Sequence, residues 1–175
     1  AVSNFFLYVI NTSSGALEAV VRWTMGSLAA ASWDTNLWML AVAVLGALFF
    51  WTQYRTLNLM LLGDEAAVTL GTDLHRWRIV YLLAASLLVG FAVYTAGIIG
   101  FVGLVIPHLV RSVVGPDHRK LVPLAALFGA IFLIWVDVGA RIIKPPAEIP
   151  VGILTAFLGA PLFLWMIKVR RYEFQ

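Results

Sequence analysis

The chain has 175 residues, of which 62% are hydrophobic and only 12% charged, and its mean hydropathy is +0.93. These values lie outside the range of a soluble domain of this length and put the polypeptide in a bilayer. The net charge of +3 gathers on no basic face interleaved with aromatics, as nucleic acid would require, and the absence of cysteine excludes disulfides and thiolate metal sites.

Ala1 to Ile10 is apolar but half the length of a span, with neither the basic start nor the cleavage site of a signal peptide, and reads as the end of a helix begun elsewhere. Ala16 to Leu28 suits a short helix at the outer interface, with Glu18 and Arg22 at i,i+4 and Trp23 at the headgroup level. Thr35 to Tyr54 carries no charge and has the roughly 20 residues that cross a hydrocarbon core of about 30 Å. The following segment, "RTLNLMLLGDEAAVTLGTDLHRWR" from Arg55 to Arg78, is too apolar for a disordered connection. It divides into two short helices. Thr56 or Asn58 caps the first, Gly63 stops it, and Asp64 and Glu65 open the second, where the helix dipole favours acids, with Gly71 at its end.

The uncharged run from Ile79 to Pro107 would rise about 43 Å as one helix, too far for one crossing. Gly97, Gly100 and Gly103 supply the break, so one element ends near Ala96 and the next runs from about Gly100 to Val114. Pro107 interrupts that second helix, and the Gly115-Pro116-Asp117 turn leads into a span from Leu121 to Val136 that carries Asp137 near one end. Ile149 to Ile167 forms the last crossing. No segment alternates apolar and polar residues as a lipid-facing barrel strand does, so the fold class is all-α, a polytopic transmembrane bundle of about five spanning helices. Nine of the twelve Lys and Arg residues then fall on one side: Arg55, Arg76, Arg78, Arg111, Arg119, Lys120, Lys168, Arg170 and Arg171. Arg22, Arg141 and Lys144 fall on the other, which sets the C-terminus in the cytoplasm.

Chemistry-bearing residues are sparse. His108 has no second ligand at a suitable spacing, so a structural hydrogen bond competes with a ligand or proton role; His75 and His118 lie in cytoplasmic connections, solvated or against a partner. Asp137 and Arg141 are spaced for an ion pair, and Glu148 suits the entrance to the last helix. Gly152, Thr155, Ala156, Gly159 and Ala160 give that helix a narrow small-residue face, either a packing seam or a sliding surface. An ion-coupled transporter or channel relaying protons through Asp137 and His108 is the main alternative from residue chemistry. An intramembrane enzyme would draw on Ser86 or Ser112, but the chain has no GxSxG or HExxH motif.

"GDEAAVTLGTDLHRWR", "GIIGFVGLVIPHLVRSVVGPDHRKLVPLAALFGA", "DVGAR" and "PAEIPVGILTAFLGAPLFLWMI", in this order, closely resemble the permease subunits of ABC importers for cobalamin, ferric siderophores and haem. The resemblance implies a single permease domain over residues 1–175, the C-terminal half of a ten-helix permease in a bacterial inner membrane. It implies that residues 57–74 are coupling helices, with Gly63, Asp64, Glu65, Ala66, Ala67, Leu70 and Gly71 against an ATPase subunit. It also implies that Arg141 and Lys144 dock a periplasmic or lipid-anchored binding protein, and that Gly152, Thr155, Ala156 and Gly159 border the translocation path. Further implied partners are a second permease copy, the N-terminal half and membrane lipid. No metal site, catalytic residue or bound cofactor is expected on this chain. It has no GxxxxGK[ST] loop, so ATP and Mg belong to the separate ATPase. Among the cargoes the resemblance allows, an iron-siderophore is the leading expectation.

Overall fold

A computed structural model describes residues 15–29, 31–63, 73–143 and 148–172. Among these residues the chain forms seven helices and no strand: α1 (Ala16–Thr24), α2 (Trp33–Thr52), α3 (Tyr54–Leu61), α4 (Leu74–Ala96), α5 (Val102–Val114), α6 (His118–Ile142) and α7 (Val151–Tyr172). Three of them, α2, α4 and α6, are long and apolar enough to cross a membrane, while α5 and the Val151–Met166 part of α7 are shorter apolar helices.

The helix boundaries follow local chemistry. Ser32, Asp73 and Asp117 accept from the N–H groups of Thr35, Arg76 and Arg119 and so cap α2, α4 and α6. The caps explain why α4 and α6 start before the apolar runs at Ile79 and Leu121. The predicted outer helix is shorter than expected, ending at Thr24 because the chain turns at Gly26 with φ 72°. Capping by Thr56 or Asn58 is also corrected: α3 begins at Tyr54, separated from α2 by Gln53 alone, so both residues lie inside it. Gly63 does end that helix, in the left-handed region at φ 91°.

The break after Ala96 falls in the glycine-rich stretch, but the glycines divide the work unevenly. Gly97 is left-handed at φ 72°, whereas the residue entering α5 in that region is Phe101, at φ 66°. A bulky residue at positive φ is strained, by about 1 kcal/mol or more. α5 therefore starts at Val102, two residues later than expected.

Packing centres on the α5–α6 hairpin, with α2, α3 and α7 set against α6 and α4 against α2. Ile106 and Val110 of α5 bury against Leu121 of α6 at one end. Val136 and Ala140 bury against Val151 of α7 at the other, and Phe132 touches both clusters. The outer surfaces are strongly apolar, with Trp38 76% exposed, Trp135 70% and Val113 83%. Such a surface needs lipid or protein neighbours, as expected of a bundle whose longest spans bury at most 11% of their most apolar stretch inside the structure.

Candidate functional site

The two ends of the bundle have separate polar chemistry. At one end α2, α3 and the α5–α6 turn meet. Trp51 Nε1 donates to the Arg119 carbonyl at 3.1 Å. The Asn58 amide Nδ2 donates to Asp117 Oδ1 at 2.8 Å, and Asn58 Oδ1 accepts the His118 main-chain N–H at 2.9 Å and lies 2.8 Å from His118 Nδ1. His118 is therefore half-buried in an intramolecular contact and not fully solvated. The Asn58 amide, followed by the Arg119 N–H, holds the Asp117 carboxyl below its usual range. The charges of Lys120 and Arg119 beside it act in the same direction.

At the opposite end Arg141 forks onto Asp137, Nε to Oδ2 at 2.9 Å and the second contact at 3.4 Å, and reaches Glu148 Oε1 at 3.3 Å. The expected i,i+4 pair is present, and Glu148 orients the approach to α7 through Arg141, which ties the end of α6 to the segment before Val151. The Ile149 N–H donates to the Ala140 carbonyl at 3.2 Å in the same place. Lys144 lies outside the described residues. His108 is half-buried on α5, and both oxygens of Asp137 are engaged by Arg141, which leaves the relay alternative without a free acid at that position.

At the same end as Arg141, three backbones cross at close range beside the cluster of Val136, Ala140 and Val151. The Ser27 N–H donates to the Ala96 carbonyl at 2.9 Å and the Gly152 N–H to the Gly26 carbonyl at 3.4 Å. A Cβ at Gly26 would lie 2.6 Å from the Ile98 carbonyl oxygen, and one at Gly152 would lie 2.7 Å from that same atom. Only glycine allows this approach. Beside the crossing is a shallow, widely open cavity of about 700 Å³ lined by Thr24, Met25, Ile98, Gly100, Phe101, Gly152, Ile153, Ala156, Phe157, Ala160 and Pro161, with no charged side chain among them. Of the small residues picked out on the last helix, Gly152, Ala156 and Ala160 line this cavity. Thr155 is fully buried, with its hydroxyl donating back to the Gly152 carbonyl at 3.0 Å, and Gly159 is buried where a Cβ would collide with Phe101. Of the coupling residues, Gly63 is exposed just beyond α3, while Asp64, Glu65, Ala66, Ala67, Leu70 and Gly71 lie outside the described residues. Among the described residues no group of three or more His, Cys, Asp or Glu side chains could hold a metal ion.

The FecCD transport family matches residues 1–169. The chain belongs to that family. A hemin transport system permease of Yersinia pestis is 48% identical over 155 residues, covering 86% of this chain and 45% of that protein. A vitamin B12 import system permease of Vibrio parahaemolyticus is 43% identical over 155 residues, covering 87% of this chain and 46% of that protein. A solved structure described as an inward-facing conformation of a metal-chelate type ABC transporter superposes with a TM-score of 0.84 at 34% identity, covering 95% of this chain and 56% of that one. This FecCD-family chain thus spans about half the length of these relatives. The family and the multi-pass helical architecture named from the linked motifs are both borne out.

The tertiary roles of Asn58, marked by the sequence only as a cap candidate, and of Trp51 and Phe101 escaped sequence reading. The partners of Asn58 and Trp51 lie about 60 and 68 positions away, beyond the reach of any local pattern.

Proposed function

We propose that this FecCD-family chain forms membrane-spanning permease structure of an ATP-driven importer that moves a metal chelate or corrinoid inward by alternating access. The observation that carries the reading is the family match over residues 1–169, and the uncharged cavity beside α7 supports it. A path for bulky cargo must release what it admits, so smooth, charge-free walls suit it better than a set of strong ligands. The names of the relatives, for hemin and vitamin B12, agree with cargo of this class, and an iron-siderophore is the first candidate for this chain.

In this reading the segment from Gly63 to Gly71, including Asp64, Glu65, Ala66, Ala67 and Leu70, docks a separate ATPase that supplies ATP and Mg chemistry. Arg141 and Lys144 receive acidic residues of a substrate-binding protein outside. A second permease copy completes the pathway, and the C-terminus faces the cytoplasm. Closure of the ATPase works on the pathway only if it favours one helix arrangement over the other.

The test is uptake by proteoliposomes holding the full-length permease and its ATPase, supplied with the binding protein and ⁵⁵Fe-siderophore, haem or cyanocobalamin in parallel. Uptake of one cargo should require ATP, and Glu65→Trp should abolish both uptake and stimulated hydrolysis. Uptake driven by an ion gradient without ATP would refute the proposal.

A further inference from the structure

The contact between α3 and the α5–α6 turn joins parts of the chain that sequence leaves far apart. α3 is a helix of eight residues that ends at Leu61, with Leu62 between it and Gly63, and Gln53 alone links it back to α2. On its other side a single side chain, Asn58, makes three polar contacts with two consecutive residues of the turn: Asp117 Oδ1, the His118 main-chain N–H and the His118 ring. Asp117 is also the N-cap of α6, with its carboxylate accepting the Arg119 N–H at 3.0 Å. Asn58 is thus bonded to the end of a 25-residue helix, about 37 Å long, whose far end carries the Arg141 ion pairs and the cluster against α7.

The chemistry of the contact is directional. An asparagine can donate and accept at once, and here Nδ2 meets a carboxylate while Oδ1 meets an N–H donor. A carboxylate or an aliphatic group at position 58 loses one half or both. Gly115 turns the chain at φ 83° and Pro116 fixes its own φ just before the Asp117 cap. Trp51, bonded to the Arg119 carbonyl, secures the end of α2 to the same helix.

We propose that Asn58 is a positioning residue that brackets α3, the helix leading into the motor-docking segment, to the α5–α6 hairpin, so that a push on α3 moves the hairpin with it. The proposal rests on the importer reading above and adds to it the place where force leaves the docking segment. Transmission needs an element with two arrangements that both sites bias, and here that element is α6 with the turn at its head.

The experiment places spin labels at Leu62→Cys and Val113→Cys, both on exposed positions, in an otherwise cysteine-free full-length permease assembled with its ATPase. Distance distributions are recorded with and without ATP and vanadate, and the ratio of hydrolysis with and without cargo-free binding protein is measured alongside. The native pair should keep one narrow distance through the nucleotide cycle. Asn58→Asp, which sets two carboxylates against each other, should broaden the distribution about twofold and lower the stimulation ratio about tenfold, within the usual span of coupling energies. The exchange Asn58→Asp with Asp117→Asn restores a donor and an acceptor across the contact and should recover both readouts. Asn58→Ser serves as the milder variant if Asn58→Asp does not assemble, which size-exclusion chromatography of the complex reports. A narrow distance and full stimulation in Asn58→Asp or Asn58→Ser would overturn the bracket. An exchange variant that assembles yet recovers neither readout would do the same. A native pair whose distance changes through the nucleotide cycle would also overturn the bracket, whereas a native complex whose hydrolysis does not respond to the binding protein would instead overturn the importer reading.

Discussion

Asp117 and Arg141 are held by hydrogen bonds and charge at opposite ends of one helix, and each has a distinct measurable consequence. Asp117 has its folded-state pKa lowered chiefly by the Asn58 amide, so the ionised group stabilises the fold at every pH above about 4. That contribution disappears as pH falls through the lowered folded-state value. In Asn58→Ala the main cause is removed, and the Asp117 titration midpoint, followed by carbonyl-carbon NMR of labelled aspartate, should rise toward the ordinary carboxylate value. Arg141 is nearly half exposed and already carries two carboxylates, so its bonds contribute little to stability. If it also docks a binding protein, Arg141→Ala should weaken that complex by about tenfold at low ionic strength and by less at high salt, while the unfolding temperature barely moves. Surface plasmon resonance across a salt series, with a thermal melt beside it, distinguishes docking from a purely structural pair.

At the level of elements, the close crossing of α7 with the segments around Gly26 and Gly97 is the least tolerant feature of the bundle. A methyl group at Gly152 would meet the Met25 and Ile98 carbonyls, which are backbone and cannot swing aside as a side chain would. Gly152→Ala should therefore destabilise the protein by about 1–3 kcal/mol, the range for an overpacked site, visible as a lower midpoint of thermal unfolding in detergent. At Gly90, where nothing lies near the added methyl group, alanine replaces glycine inside a helix, and Gly90→Ala should be neutral or stabilising by up to about 1 kcal/mol. Both substitutions add one methyl group inside a helix, so the contrast isolates the crossing. The glycine spacing that located the break after Ala96 carried this information only in part. It marked where the chain stops being helical, but the left-handed residue entering α5 is Phe101, a placement tied to Gly159 lying against it.

For the molecule as a whole, the abundance of exposed apolar side chains defines its solvent. Trp38 and Trp135, both more than two-thirds exposed, should be quenched by lipids brominated on their acyl chains, and replacing either with Phe should reduce the quenchable fraction. The basic residues give the complementary expectation for orientation. A cysteine at Leu62 should react with a membrane-impermeant maleimide only from the cytoplasmic face, and one at Ile142 only from the opposite face; the reverse pattern would invert the topology.

Bilayer residence, five apolar helices and the break between Ala96 and Val102 were legible in the order of residues, because hydropathy and glycine content act locally. The Arg141–Asp137 pair was legible too, being one helical turn long. The Asn58 contact with Asp117 and His118, the Trp51 anchor, the burial of Thr155 and the split of the small-residue face into cavity wall and packing seam were not. Each depends on which helix lies opposite, and a side chain's neighbours across a bundle are decided by the joint packing of helices far apart in the chain, a quantity that no local pattern encodes.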